Sequence, residues 1–294
     1  MTEMTEFLVQ RLYLAAIVLS LLLLGSCATP KVSFSEGDYL GRPHILVQTE
    51  TLKYYYDIRG GGFSRIIDQE GNDWVSFKME PWGAYPASAA SAFRGLPNLV
   101  FQGEDDGAGH PGHDQCTSRV EKGKIITETL SGKWIWTWEF RNDHAILEIQ
   151  KADPRRPYWF LYEGTPGGSY DPGSSYFGSD QGGPFPGAHD YYKGDILWGS
   201  FRWIYAGRSD APGVFYMVQQ QEDDLMDMIS FLGSTETGLE SPDGMTVFGF
   251  GREKEARPLL TGEHTFIIGL FHQKIESKTA HEDLSRYIKK QCLK

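Results

Sequence analysis

Two histidines on either side of a proline–glycine turn have the types and spacing that most directly suggest chemistry. His110 and His113 flank Pro111-Gly112 in a polar, glycine-rich stretch, so both imidazoles can face one cleft. Because imidazole titrates near neutral pH, one ring can act as a general base or acid beside the other. His-x-x-His followed by Asp114 also supplies ligand types for a divalent metal, although the spacing matches no specific zinc motif. We favour proton transfer, with no metal and no cofactor.

Two arginines are candidates for binding an anionic group. Arg94 precedes a Gly-x-Pro turn, and Arg202 lies in the middle of a predicted strand rich in aromatic residues. The planar guanidinium suits carboxylate or sulfate, and an arginine buried among aromatic side chains requires a partner. Each also has a structural alternative: Arg94 can anchor its loop to an internal acid, and Arg202 can point to solvent from an open sheet face.

A third candidate group lies at the end of a predicted strand that runs from Tyr158 to Glu163. Alternation places Tyr162 on one face of this strand and Glu163 on the other. Either a phenol or a carboxylate therefore meets the histidine loop, depending on which face is exposed. We predict Tyr162 as a general acid or base and Glu163 as a group that binds substrate.

The remaining candidates lie in loops, where turn-forming residues are common. Asp180 and His189 belong to a glycine-rich segment that can close over a ligand, and Trp82 is the preferred platform for stacking on a sugar ring. The row of Trp134, Trp136 and Trp138 also suggests sugar stacking, but a row of aromatics at every second position is more typical of the inner face of a sandwich. We therefore place that row in the core.

The elements that must position these groups are predicted to be strands. Lys133 to Phe140 alternates strictly, and the Arg141-Asn142-Asp143 turn leads into a second strand. Similar strand signals, separated by Gly, Pro, Asp or Asn, occur at residues 44–49, 51–57, 73–78, 158–163, 198–205, 213–219, 245–250 and 264–272. The one helix signal begins with a capping box at Thr279, followed by Leu284 and Ile288. The prediction is an all-β chain: a large two-sheet antiparallel sandwich over residues 42–294 with one C-terminal helix.

Composition excludes several functions. The 294 residues carry 28 Lys and Arg against 39 Asp and Glu, a net charge of −11, and the basic residues are scattered. Nucleic acid is therefore not expected as a partner. The sequence has no glycine-rich phosphate loop before a helix, no Gly-x-Ser-x-Gly elbow and no Cys-x-x-Cys pair. Nucleotide, serine-hydrolase and thioredoxin chemistries lose support accordingly.

The N-terminus has the pattern of a secretion signal. An apolar run from Leu12 to Leu24 is too short for an ordinary transmembrane helix. It ends in Leu24-Gly25-Ser26-Cys27, which resembles the lipobox of bacterial lipoproteins. The resemblance implies a signal peptide at 1–26, lipid modification of Cys27, a polar linker at 27–41, and an outer-membrane lipoprotein facing the periplasm or the cell surface. A plain apolar helix is the alternative.

Residues 54–74 have the order strand, glycine turn, strand, Asp-x-x-Gly turn, strand. This order resembles the start of the galactose-mutarotase-like supersandwich folds. The resemblance implies a two-sheet sandwich that binds sugars on a concave face, in a superfamily of aldose epimerases, polysaccharide lyases and glycoside hydrolase domains. More weakly, the chain resembles polysaccharide lyases and the dehydratases that act on uronic-acid oligosaccharides such as ulvan fragments.

These observations favour an enzyme that performs β-elimination at a uronic acid residue of a poly- or oligosaccharide, as a lyase or a dehydratase. Arg94 or Arg202 would neutralise the substrate carboxylate, and His110, His113 or Tyr162 would move protons. Two alternatives stay open. An aldose 1-epimerase would pair one of the histidines with Glu163, and a non-catalytic lipoprotein would bind carbohydrate through its aromatic and polar loops.

Overall fold

The computed structural model describes residues 32–78, 94–101, 103–234, 237–241 and 243–293, and the regular structure within them is β-strand apart from short turns and one α-helix. The strands are β1 (Ser33–Tyr39), β2 (Arg42–Gln48), β3 (Lys53–Asp57), β4 (Gly62–Ile67), β5 (Cys116–Glu121), β6 (Lys124–Thr129), β7 (Ile135–Phe140), β8 (His144–Lys151), β9 (Phe160–Gly164), β10 (Ser175–Ser179), β11 (Gly182–Pro186), β12 (Leu197–Gly199), β13 (Trp203–Arg208), β14 (Val214–Gln219), β15 (Asp227–Leu232), β16 (Met245–Phe250), β17 (Arg252–Glu253), β18 (Arg257–Pro258) and β19 (Thr265–Phe271). Helix α1 spans Lys278–Gln291. The predicted all-β class is confirmed.

The first sheet is a nine-stranded antiparallel sheet in the order β11-β10-β13-β14-β19-β8-β7-β6-β5. Its β7–β8 hairpin has the predicted Arg141-Asn142-Asp143 connection. The three tryptophans of the predicted core row, Trp134, Trp136 and Trp138, are all buried. The alternating aromatic row therefore faces the core, as expected for a sandwich.

The second sheet consists of two four-stranded groups, β1-β2-β3-β4 and β12-β15-β16-β9, joined by residues 95–99. On one side the Phe63 N–H of β4 donates to the Leu96 carbonyl (2.7 Å). On the other side Gly95 and Glu163 of β9 exchange two backbone hydrogen bonds, of 2.7 and 3.0 Å. Residues 95–99 thus take the place of a strand between β4 and β9, and the second layer runs from β1 to β12.

Aromatic contacts between the two layers fill the core. The ring of Phe63 lies 4.8 Å from Trp138, and the ring of Tyr162 stacks on Phe215 at 4.6 Å. Each pair joins a strand of the second sheet to a strand of the first, and such ring pairs add specific contacts to the area that they bury. The two-sheet antiparallel sandwich predicted from the sequence is confirmed.

The predicted linker at 27–41 is wrong for residues 33–39. They form β1, which pairs with β2 from Ser33–Gln48 to Tyr39–Arg42. As an edge strand, β1 leaves one row of backbone groups unpaired, and its side chains are mostly exposed or half-buried. Its polar composition therefore reflects its position at the edge of the sheet.

Helix α1 covers the outer face of the first sheet. Its N-cap is Ser277, whose Oγ accepts from the Ala280 N–H at 3.2 Å, two residues before the predicted start at Thr279. Leu284 and Ile288 are buried, as their spacing indicated. Within the described residues, no helix is long and apolar enough to cross a membrane.

Candidate functional site

The candidate site lies on the outer face of the second sheet, where residues 95–99 run beside β9. Glu163 pairs directly with Gly95, and residues directly opposite each other in an antiparallel pair share a face. The Glu163 side chain is 9% exposed, and its Oε2 accepts no hydrogen bond from the described residues. The carboxyl group that the sequence placed at the strand end is therefore buried on the face opposite the core.

Gly95 leaves the space that the imidazole of His110 occupies. A Cβ on Gly95 would lie 2.5 Å from His110 Nε2 and 2.7 Å from Pro111 Cδ, closer than such atoms approach. His110 is fully buried, and its Nε2 lies 3.7 Å from Glu163 Oε2. The absence of a side chain at Gly95 thus brings the imidazole and the carboxyl group together.

The hydrogen bond at the other ring nitrogen fixes the proton on His110. Nδ1 lies 2.7 Å from the Pro111 carbonyl oxygen, which can only accept, so Nδ1 carries a hydrogen. In the neutral ring Nε2 is then a bare acceptor that faces a carboxylate. The 3.7 Å separation of Nε2 from Oε2 is longer than a hydrogen bond, and one ligand hydroxyl could bridge the two atoms at about 2.8 Å from each. The imidazole and the carboxyl group can therefore contact the same group of a ligand.

Replacing Gly95 by alanine tests this packing. The new methyl group would force the His110 ring away from Glu163, so we expect a loss of stability of about 1–3 kcal/mol. Urea unfolding measures it. Gly173→Ala is the matched control, because its Cβ meets nothing closer than 3.4 Å. An unchanged free energy of unfolding in Gly95→Ala would contradict the close packing of the His110 ring on Gly95.

A buried ion pair holds the histidine loop in place. Asp57 accepts from Arg42 Nε at 2.5 Å and from the Gly112 N–H at 2.9 Å, and Arg42 also donates to the His113 carbonyl. Burial alone would raise the pKa of the Asp57 carboxyl, but the hydrogen bonds from Arg42 and Gly112 stabilise its charged form. The net effect lowers the pKa of Asp57 below its usual value. The ionised carboxylate is thus part of the loop's framework.

The lowered pKa of Asp57 predicts how stability depends on pH. A carboxyl whose pKa is lower in the folded state stabilises the fold above its unfolded pKa, and this contribution is lost as the pH falls through the folded value. The stability difference between the wild type and Asp57→Asn should be full above about pH 5 and should shrink below about pH 4. Urea unfolding from pH 2 to 7 measures it. Asp114→Asn, which removes the exposed partner of Arg42, should show a much smaller difference, and a pH-independent difference for Asp57→Asn would contradict the assignment.

His113 lies beside the pair but is held neutral. Its ring centre is 5.7 Å from that of His110, and it fills the space above Gly107. Burial, and then the neighbouring His110 ring, lowers the pKa of His113 to about 4. At neutral pH this imidazole is uncharged, so it can donate or accept a hydrogen bond but is a weaker base than an ordinary histidine.

The prediction of Tyr162 as a general acid or base is not supported by its position. Its ring is fully buried on the core face of β9, between Phe215 and Phe248, and its hydroxyl donates to the Trp74 carbonyl. Burial raises the pKa of Tyr162 well above its usual value. Alternation along β9 sends Tyr162 into the core and Glu163 outward, so the carboxylate, not the phenol, meets the histidine loop.

Arg94 directly precedes Gly95, but its guanidinium donates to backbone carbonyls. Its nitrogens donate to the carbonyls of Ser76 (3.2 Å), Asp243 (2.9 Å) and Gly244 (2.8 Å), and the side chain is buried. Arg94 therefore ties three segments together at the end of β9. It brings positive charge to this end of the strand, although these contacts already engage much of its hydrogen-bonding capacity.

Arg202, Asp180 and His189 are not linked to the His110–Glu163 pair by any contact within the described residues. Arg202 donates from its guanidinium to the Gln220 carbonyl, and its backbone N–H donates to Asp180 at 3.0 Å. The ring of His189 packs on Phe177 at 5.4 Å. These three residues therefore have local partners near β10 and β13.

Trp82 and Cys27 lie outside the described residues, so their predicted roles stay predictions. In the part of the chain that the structure describes, no three histidine, cysteine or carboxylate side chains group closely enough to hold a metal ion. Sequence analysis missed Gly95, whose role depends on a neighbour distant in sequence, and Arg252, a buried arginine at the start of β17.

Comparisons with known proteins yield likenesses of fold only. No protein-family model and no curated protein matches the chain. Among solved structures, similarity is found to HI1317 (10% identity, TM-score 0.49, covering 84% of this chain and 98% of that one) and to a 4-alpha-glucanotransferase from Thermococcus litoralis (10%, 0.46, 84% and 40%). A third is a protein assigned as an aldose 1-epimerase from Escherichia coli K12 (8%, 0.46, 82% and 100%). At these identities, function has to be argued from the site.

Proposed function

We propose that this chain is a carbohydrate-active enzyme in which His110 and Glu163 move protons, and that its reaction is β-elimination at a uronic acid residue. The observation that carries the proposal is the buried imidazole–carboxyl pair, 3.7 Å apart, with Nδ1 of His110 held by a carbonyl. Hydrogen-bond contacts of catalytic groups are often long without substrate and tighten in the complex. A pair that shares one proton suits a reaction that removes one proton and delivers another.

The elimination balances within this pair. His110 Nε2 takes the proton from C5 of the uronate, and the C5–H electrons form the C4=C5 double bond as the C4–O bond breaks. Glu163, in its acid form, gives its proton to the leaving oxygen, which departs as the hydroxyl of a sugar or as water. The imidazolium then returns its proton to the Glu163 carboxylate. Because both groups lie on one side of the substrate, the proton and the leaving oxygen must depart from the same face of the ring.

Charge on the substrate carboxylate must also be stabilised, since negative charge develops there when C5 loses its proton. Arg94 supplies positive charge one residue before Gly95. In this proposal it acts through its charge and by holding the backbone around Glu163, with its nitrogens donating to carbonyl groups.

Aldose 1-epimerisation is a second candidate, because the same observation favours it. That reaction needs an acid at the ring oxygen and a base at the C1 hydroxyl, and an imidazole facing a carboxylate supplies both. The two reactions would use the same two residues, and they are distinguished by their products.

A product assay on the full chain tests the proposal. Incubation with a panel of uronic-acid oligosaccharides should produce the ultraviolet absorbance of an unsaturated uronate, and Glu163→Gln should not produce it. In parallel, NMR follows the exchange of α and β anomers of free aldoses. Accelerated exchange without the chromophore would replace elimination by epimerisation. Binding of panel sugars with neither reaction would overturn the enzyme proposal in favour of a binding protein.

A further inference from the structure

A buried arginine without a carboxylate partner lies at the other end of β9 from the His110–Glu163 pair. Arg252 directly follows β16 and Gly251, and only 7% of it is exposed. Within the described residues no carboxylate lies within ion-pair distance of it, and its Nε has no hydrogen-bond partner. Among the residues that the structure describes, this buried positive charge therefore has no counter-ion.

Two aromatic rings cradle the guanidinium. Its central carbon lies 5.1 Å from the centre of the Trp159 ring and 5.5 Å from that of Tyr191. One terminal nitrogen donates to the Tyr191 hydroxyl at 2.5 Å. The ring of Phe101 packs against Trp159, with 4.5 Å between the ring centres. These contacts orient the planar fork through cation–π attraction, but they neutralise none of its charge.

Other buried arginines among the described residues have carboxylate or carbonyl partners for the guanidinium. Arg42 is paired with Asp57, and Arg208 is paired with Asp210 and also donates to Ser169. Arg94 is held by carbonyl groups. A buried charge that lacks such compensation costs free energy, and a bound anion would provide it.

We propose that Arg252, Trp159 and Tyr191 form a subsite for an oxyanion group, a carboxylate or a sulfate, carried by a saccharide. The Arg252 fork would bind two oxygens of the anion, and the half-buried Tyr191 ring would contact the sugar that bears it. Trp159 is 2% exposed, so its ring would orient the guanidinium without touching the sugar. Trp159 and Glu163 are four residues apart along an extended strand, or about 13 Å. If the proposed function is correct, a ligand that reaches both sites is longer than a single sugar ring.

Binding measurements on the full chain test the subsite without requiring turnover. Calorimetric titration compares methyl glucuronide with methyl glucoside, which differ by the carboxylate, and glucose 6-sulfate with glucose. At constant ionic strength the wild type should bind the anionic member of at least one pair about tenfold more tightly. Preference in the first pair alone identifies a carboxylate site, and preference in the second pair alone identifies a sulfate site.

Three variants test whether Arg252 is responsible for the preference for the anionic ligand. Arg252→Gln should lose the preference for the anion, whereas Arg252→Lys, which keeps the charge without the fork, should retain part of it. Arg286→Gln is the control, since that guanidinium is exposed on helix α1 and pairs with Asp283. Equal affinities for charged and neutral ligands in the wild type would overturn the subsite, and so would an unchanged preference in folded Arg252→Gln. If Arg252→Gln does not fold, the test uses Arg252→Lys, whose preference for the anionic ligand should be smaller than that of the wild type.

Failure of this inference and failure of the proposed function are separate results. A chain that eliminates uronates but shows no anion preference at Arg252 refutes only the subsite. A chain that prefers anions through Arg252 but turns over nothing refutes only the catalytic proposal.

Discussion

Replacing His110 or Glu163 by glutamine is expected to lower kcat by about 10²–10⁴ on the substrate that the product assay identifies. Glutamine at 110 removes the imidazole that accepts the proton, and glutamine at 163 has the shape of the carboxyl group but no exchangeable acid proton. Glu163 lies on the face of β9 opposite the core, whereas the His110 ring is fully buried and its centre lies 6.3 Å from that of Phe77. The thermal midpoint of Glu163→Gln should therefore stay close to that of the wild type, and that of His110→Gln shows how much packing is lost with the imidazole.

The controls for this prediction match residue type and lie away from the pair. His272→Gln changes an exposed histidine after β19, and Glu148→Gln changes a carboxylate on β8 that pairs with Lys124. Both should keep wild-type kcat and midpoint. Full turnover in both His110→Gln and Glu163→Gln would remove the pair from the mechanism and direct attention to Arg202, His189 and Asp180.

Trp136→Ala should lower the free energy of unfolding by about 3–5 kcal/mol. Trp136 is 1% exposed in the core, and its indole nitrogen donates to the Tyr56 hydroxyl at 3.0 Å. That hydroxyl donates in turn to the Gly61 carbonyl at 2.8 Å. Alanine would leave a cavity and would remove the indole donor from this buried hydrogen-bond network. The network reaches the Gly60–Gly61 turn, whose Gly60 carbonyl accepts from the Gly109 N–H.

Urea unfolding separates the two contributions. Trp136→Phe keeps much of the ring volume but loses the hydrogen bond, so it should cost about 1–3 kcal/mol. Leu130→Ala changes an apolar residue that is 65% exposed and should stay within about 0.5 kcal/mol of the wild type. A cost below about 1 kcal/mol for Trp136→Ala would contradict its placement in the core.

The fold could be predicted from sequence where its signals are local. Strict alternation over Trp134 to Phe140, a turn at Arg141-Asn142-Asp143 and the spacing of Leu284 and Ile288 each depend on neighbours within one element. The strand prediction was wrong where backbone pairing does not follow from the local composition. Residues 73–78 were expected to be a strand, but the described pairing there is an isolated bridge between Ile67 and Asp73.

Residues 95–99 show why the architecture of the second sheet could not be predicted. They contain Pro97 and no alternating pattern, yet they pair with β9 through hydrogen bonds such as Leu161 N–H to the Pro97 carbonyl (2.9 Å). A proline cannot donate but can accept, so its position at this junction is compatible with pairing. No sequence signal specifies which strands such a segment joins.

The site could be predicted residue by residue but not as an arrangement. His110 was a candidate for proton transfer, and Glu163 was a candidate for binding substrate or, in the epimerase alternative, for pairing with a histidine. Their contact depends on Gly95, which lies 15 residues before His110, and on which face of β9 is covered. Alternation left that face open, so Tyr162 and Glu163 were equal choices. Arg252 and Trp159 are 93 positions apart, and only the folded chain shows their contact.

The double variant His110→Gln/Glu163→Gln tests the central claim most directly, because groups that act as one unit have non-additive effects on turnover. If one proton is shared between Nε2 and Oε2, the double variant should lose about as much kcat as the more damaged single variant, within a factor of about three. If the two losses multiply, the residues act independently and the shared-proton pair is wrong.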